Sequence, residues 1–181
     1  MRRMRQLALV ALLLVGAAAA QPVTRFGLSP DAYAAYERWV LAMCIGGDEQ
    51  ALARDLARFA PELVPAFQRA ISEGPTALEI DQVRDAAQAL YDRRAKLPLQ
   101  ELEVTGVTRA DLARFARQSR AAFVDDQVKR FTTGYRANAI AALGMIGDAR
   151  ARSLLTRIAR NPRDPLAAAA REALRKTREP R

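Results

Sequence analysis

The chain has 181 residues, half of them apolar, and a formal net charge of +9. It contains no histidine and a single cysteine, Cys44, which excludes histidine-based catalysis, histidine metal ligands and an internal disulfide. Alanine, leucine and arginine dominate the composition, and because all three are good helix formers they predict an all-α fold.

The first predicted element is an export signal. Residues 1–5 carry three arginines, residues 7–15 form an unbroken apolar run, and Ala18-Ala19-Ala20 fits the small-residue cleavage pattern. The stretch from Leu7 to Ala20 has 14 residues, whereas a membrane-spanning helix needs about 20. We therefore expect a secretory signal peptide over residues 1–20, cleaved after Ala20, and a periplasmic or extracellular mature protein.

An extended leader over residues 21–29 precedes four predicted helices, which we expect to be irregular. Each begins at a capping residue or a proline, and glycine, proline or both end the first and the third. The predicted limits are Ser29-Pro30 to Gly46-Gly47, Asp48 to Phe59, Pro61 to Gly74-Pro75, and about Thr76 to Lys96.

Residues 97–107 contain Pro98 and Gly106 and predict the longest loop. A near capping box at residues 108–111 then begins another helix. The apolar stripe of this helix changes phase, which predicts a bend or break between Ala122 and Asp126, and residues 132–134 are expected to end it.

The C-terminal part has the most regular pattern. It predicts a helix over residues 136–143, a turn at residues 144–147, a helix from the cap at Asp148 to Asn161-Pro162, a last helix begun by Asp164-Pro165, and a basic tail over residues 177–181.

The segment Tyr135 to Asp148, YRANAIAALGMIGD, resembles the HEAT-repeat family. HEAT units share its arginine after an apolar residue, its Ala-Leu-Gly helix end and its Gly-Asp start of a second helix. The resemblance is good over residues 134–176 and implies a short α-solenoid of stacked antiparallel helix pairs. The implied structural repeat positions are Arg136, Gly144, Gly147, Asp148 and Asp164.

Outside that segment the repeat pattern is weaker. A Gly-Asp pair recurs at Gly47-Asp48, and the hexapeptide DLARFA occurs at residues 55–60 and again at 111–116. These recurrences share no common period. We expect a single helical HEAT-like domain over residues 30–176, less regular over residues 30–131.

The charge is divided unevenly between the two halves of the chain. Residues 21–103 carry 9 basic and 13 acidic side chains, whereas residues 104–181 carry 17 basic and 7 acidic ones. The basic half is therefore a candidate surface for an anionic partner. Charged helix faces are more often simply solvated, however, and the two halves could also pair with each other. The residues chosen for this candidate surface are Arg150, Arg157, Arg160 and Arg171.

Two further candidates carry alternative interpretations. Trp39 lies beside the apolar stripe of the first helix and joins the candidate interaction surface if it is exposed, although core packing is its more common role. Arg136 and Asp148 could contribute to a surface, but capping and cross-linking the repeat explains both residues more simply.

The sequence contains no nucleophile elbow, phosphate loop or metal-ligand cluster. Asp81 and Asp85 form an acidic pair without a third ligand, and Cys44 lies on an apolar face. We expect no enzyme activity, no cofactor and no metal, but a scaffold or interaction module whose partner is another protein. The first alternative is a module that binds an anionic envelope polymer, lipid or nucleic acid, although arginines without interleaved aromatics give no specific nucleic-acid signal. The second alternative is a HEAT-like enzyme, but the export signal argues against it.

Overall fold

The structure of the protein is a computed structural model that describes residues 24–41, 49–96, 113 and 115–177. Within these ranges the chain forms seven helices and no strand, which confirms the all-α prediction. The helices are α1 Pro30–Val40, α2 Glu49–Arg58, α3 Ala60–Glu73, α4 Ala77–Lys96, α5 Arg120–Ile146, α6 Ala149–Arg160 and α7 Ala167–Lys176. A short 3-10 turn, Arg25–Gly27, precedes α1.

Capping chemistry sets the starts of α1 and α6 where the sequence predicts them, and a local glycine sets the end of α5 later than predicted. Ser29 accepts a hydrogen bond from the Ala32 amide at the start of α1. Gly147, with a φ of 71°, adopts the left-handed conformation that closes α5, and Asp148 caps α6 through the Arg150 amide. These contacts are local, so short sequence patterns are sufficient to predict them.

The longest helix differs from the prediction. α5 runs without interruption over 27 residues, so a break between Ala122 and Asp126, the end at residues 132–134 and the turn beginning at Gly144 are all wrong. The break lies earlier, where Ser119 caps the new helix through the Ala122 amide.

A change of neighbours along α5 explains the phase change in its apolar stripe. The residues Phe123 and Val124 pack with α4 in a small separate cluster, whereas Tyr135, Ile140 and Leu143 belong to the main core. The buried face therefore rotates along the helix while the helix itself continues. The predicted stop at residues 132–134 fails because tertiary packing overrides the helix propensity of a single glycine, which disfavours a helix by only about 1 kcal/mol.

The main core surrounds the C-terminal part of α5, which packs against α1, α2, α3 and α7. Its largest fully buried side chains include Trp39, Tyr36 and Phe67. At Gly144, inside α5 rather than in a turn, an added Cβ would lie 2.7 Å from the Ala173 Cβ. This glycine therefore permits the close packing of α5 against α7, and α7 also packs against α6.

Several predicted features lie outside the described residues. They are the signal peptide, Cys44, the Gly46-Gly47 turn with Asp48, the loop over residues 97–107, the near capping box at residues 108–111, and most of the basic tail. Among the helices that the structure describes, none combines the length and apolar content needed to cross a membrane.

Candidate binding cleft

An open cleft of about 1070 Å³ lies between α3, α5, α6 and the loop that follows α6. We call it the basic cleft, because three arginines and one carboxylate line it among the described residues. Its charged lining consists of Arg136, Arg150, Arg157 and Asp164. Its hydroxyl groups come from Ser72, Thr132, Thr133 and Ser153, and its apolar lining includes Ile71, Leu154, Ile158 and Leu166.

Helical periodicity places the α6 side chains on one wall of the basic cleft. Arg150, Ser153, Leu154 and Arg157 follow the i, i+3, i+4, i+7 spacing of a single helix face. The loop after α6 closes one end, where the Asp164 carboxylate accepts a hydrogen bond of 2.8 Å from the Leu166 amide. Sequence spacing could thus have indicated the α6 wall, but the α3 and α5 walls depend on tertiary packing.

The charge of Arg150 is already compensated within the protein. Its Nη2 lies 2.9 Å from Asp148 Oδ2, and its Nε lies 3.2 Å and 3.3 Å from the two carboxylate oxygens. This hydrogen bonding holds the pKa of Asp148 below its ordinary value and raises the pKa of Arg150. The pair also keeps Asp148 in place as the cap of α6.

Arg136 has a different environment on the α5 wall. Its Nε is buried and has no hydrogen-bond acceptor among the described residues. The guanidinium lies against Gly74, where an added Cβ would come within 3.1 Å of Nη2 and 3.2 Å of Nε. A side chain at residue 74 would therefore crowd the Arg136 guanidinium beside the α3 terminus. The structure does not show Arg136 paired with Asp148.

The remaining sequence candidates divide between a second depression and a helix interface. Arg157 lines the basic cleft and also a shallower depression of about 620 Å³ with Arg152 and Arg160. Arg171 instead donates to the Ala159 carbonyl oxygen at 3.1 Å, on the α6–α7 interface.

Trp39 packs in the core, its more common role, so its place on the candidate interaction surface is wrong. Only 2% of the residue is exposed, and its indole N–H donates to the Asn138 carbonyl oxygen at 2.6 Å. Apolar packing and a partner for the indole explain its burial in the core.

On another side of Gly74, a polar network that sequence analysis missed fixes the N-terminal turn. Arg25 donates to the Gly74 carbonyl oxygen at 2.7 Å and to the Tyr135 hydroxyl at 2.5 Å, and its Nη1 lies 3.3 Å from the Glu79 carboxylate. The Tyr135 hydroxyl is 2.6 Å from that of Tyr36. Burial raises the pKa of both tyrosines above the ordinary 10.0.

Part of this network could have been found from the sequence. Thr76 and Glu79 have the spacing of a capping box, and Glu79 does accept hydrogen bonds from the Thr76 amide and hydroxyl while the Thr76 hydroxyl accepts from the Glu79 amide. No local pattern, however, indicates that Arg25 reaches the same carboxylate.

The acidic residues do not assemble a metal site within the part of the chain that is described. There, no group of three or more cysteine, aspartate or glutamate side chains could hold a metal ion. Asp81, one of the acidic pair singled out in the sequence, forms an exposed ion pair with Arg84. No known protein-family model matches the chain, and neither a curated protein nor a solved structure is significantly similar to it.

Proposed function

We propose that the protein is an exported, non-enzymatic interaction module that binds an acidic segment of a partner protein in the basic cleft. Its helix pairs would be HEAT-like units of a short α-solenoid, with Gly147 and Asp148 at the turn between α5 and α6. The signal-like residues 1–20 support export, and the mature chain is expected to begin at Gln21.

The observation that carries this proposal is the composition of the basic cleft. Three arginines and one carboxylate line it among the described residues, together with hydroxyl and apolar groups. Small-molecule sites bury most of the surface of their ligand, whereas this cleft of about 1070 Å³ is open to solvent. Its openness favours a peptide segment over an enclosed metabolite. Complementary charge steers association and selects among partners.

A peptide-binding measurement on the mature chain tests the proposal. The probe is a fluorescein-labelled peptide in which Glu alternates with Leu, and the control peptide has Gln in place of every Glu. We expect anisotropy to report binding of the Glu peptide only, weakening as salt increases because exposed charges are screened. Equal binding of both peptides, or binding of neither, would contradict the proposal.

A matched pair of charge reversals locates the binding surface. Arg157→Glu changes the basic cleft, whereas Arg93→Glu makes the same charge change at an exposed position of α4, a helix that contributes no described residue to the cleft. We expect Arg157→Glu to weaken binding of the Glu peptide at least about tenfold, as for a lost charge-assisted contact. Arg93→Glu should retain nearly the wild-type affinity, and equal losses would show a response to net charge alone.

A second candidate function is binding of an anionic envelope polymer. The observation that favours it is the shallower depression, where Arg152, Arg157 and Arg160 form a basic face on α6. Heparin is the probe that separates the two functions. Tight retention that is lost in Arg152→Glu and Arg160→Glu, with no binding of the Glu peptide, would favour the polymer.

A further inference from the structure

We infer that Arg136 is the specificity-determining cation of the basic cleft. Its guanidinium binds a side-chain carboxylate of a partner segment that is acidic and partly apolar. This inference rests on the proposed function. It differs from the sequence-based interpretation, in which Arg136 caps or cross-links a repeat and the arginines of α6, with Arg171 of α7, form the surface.

The first step concerns which arginines have charge to offer. Arg150 is occupied, since three of its nitrogen–oxygen distances to Asp148 are 3.3 Å or less. Arg136 has no hydrogen-bond or ion-pair partner among the described residues, and its buried Nε has no acceptor there. A guanidinium partly removed from water and lacking a partner attracts an anion more strongly than one already in an ion pair.

The second step concerns geometry. The guanidinium of Arg136 is planar, and close packing against Gly74 restricts its orientation. A restricted planar fork matches the two oxygens of a carboxylate and loses little freedom on binding. Thr133, one helical turn earlier on α5, also lines the basic cleft. Its hydroxyl can donate a further hydrogen bond to the bound carboxylate.

The third step selects the class of partner. The basic cleft includes Ile71, Leu154 and Leu166 in its lining, so it also offers apolar contacts beside Arg136. No aromatic side chain is present among its described lining residues, whereas single-stranded nucleic acids are usually bound by stacking on aromatics. A peptide that places acidic and apolar side chains close together therefore fits better than a nucleic acid.

Two readouts on the same variant separate a binding role from a structural one. The Glu–Leu peptide described above is the probe, and Arg136→Gln is compared with Arg93→Gln. We expect Arg136→Gln to lower the peptide affinity at least about tenfold, while the melting temperature without peptide stays the same or rises. Arg93→Gln should change neither quantity. If Arg136 were structural, Arg136→Gln would lower the melting temperature.

A lysine variant keeps the inference testable if Arg136→Gln does not fold. Arg136→Lys preserves the charge but not the planar fork, so we expect a smaller, severalfold loss of affinity. Wild-type affinity in Arg136→Lys together with a lowered melting temperature in Arg136→Gln would overturn the inference.

The possible failures are distinguishable. If the wild-type protein binds the Glu peptide and Arg136→Gln binds it equally well, this inference fails and the proposed function stands. If the wild-type protein does not bind the Glu peptide, the proposed function fails. A single-stranded DNA probe that binds more tightly than the peptide and still depends on Arg136 would overturn the choice of a carboxylate.

Discussion

Two arginines approach Gly74 in different ways. Arg25 donates to the Gly74 carbonyl oxygen and reaches the Tyr135 hydroxyl and the Glu79 carboxylate. Arg136 lies against the Cα side of the same glycine. Its Nε is buried and donates a hydrogen bond to no described residue. Because a poorly hydrated cation usually has a partner inside the protein, this difference suggests opposite roles: Arg25 stabilises the fold, and Arg136 is available to a ligand.

The largest effect is expected for Arg25→Met. The substitution leaves the Tyr135 hydroxyl, the Gly74 carbonyl and the Glu79 carboxylate without the cation that they share. In the ion pair that is lost, the Arg25 and Glu79 side chains are only 17% and 23% exposed. We expect the free energy of unfolding in urea to fall by about 3 kcal/mol. Arg93→Met, at an exposed position of α4, should stay within about 0.5 kcal/mol of wild type. Equal free energies of unfolding in the two variants would show that Arg25 does not stabilise the fold.

Gly74→Ala tests the residue that the two arginines share. Gly74 has φ 75° and ψ −165°, a conformation that is open almost only to glycine, and an added Cβ would also displace the Arg136 guanidinium. We expect a loss of about 2 kcal/mol in the free energy of unfolding.

Gly134→Ala is the matched control for Gly74→Ala. Gly134 lies inside α5 and has open space around its Cβ position, so alanine there should stabilise the helix by up to about 1 kcal/mol. Opposite signs for the two glycines in chemical denaturation are the expected outcome. A neutral Gly74→Ala would mean that the backbone at residue 74 relaxes without cost.

Local chemistry explains which parts of the fold could be predicted. The caps at Ser29 and Asp148 depend on residues within a few positions, and the sequence patterns locate them. The end of α5 at Gly147 is equally local, but the sequence pattern places it too early, at residue 143. The continuity of α5 could not be predicted in this way, since a rotating apolar stripe and a broken helix give similar patterns. Only the packing of α4 against the first turns of α5 distinguishes them.

The candidate site was predictable only in part. The sequence identifies Arg150 and Arg157 as members of a basic surface, and both line the cleft. The sequence cannot show that Asp148 forms an ion pair with Arg150. Nor can it show that Arg136 packs beside Gly74, which is distant in sequence. The availability of a charge depends on every group packed around it, and composition does not contain that information.

The paired tyrosines Tyr36 and Tyr135 provide a pH-dependent test of the polar network around Arg25. Because burial raises the pKa values of Tyr36 and Tyr135, the folded protein keeps protons that the unfolded chain loses above its ordinary tyrosine pKa of 10.0. This contribution is complete below about pH 10, and above it stability should fall by up to about 1.4 kcal/mol per pH unit for each tyrosine.

Tyr36→Phe should weaken that pH dependence. The variant loses the hydroxyl contact with Tyr135, so we expect about 1.5 kcal/mol less stability at neutral pH and a shallower decline above pH 10. Urea unfolding across the alkaline range measures both quantities. An unchanged slope would mean that Tyr36 ionises in the folded protein as readily as in the unfolded chain.

The smallest effect on stability brings the comparison inside the basic cleft, where Arg150 is paired and Arg136 is not paired by any described residue. Asp148→Ala removes the α6 cap and should lower the free energy of unfolding by less than the other destabilising substitutions do. The same change releases the Arg150 guanidinium beside the cleft, so the Glu peptide should bind severalfold more tightly to a less stable protein.

Ser119→Ala is the control, because it removes the comparable cap of α5 without changing the described lining. If both variants lose similar stability and only Asp148→Ala gains affinity, pairing by Asp148 is what withholds Arg150 from the peptide. An equal affinity in the two variants would instead place the bound segment away from Arg150, towards Arg136 and Arg157.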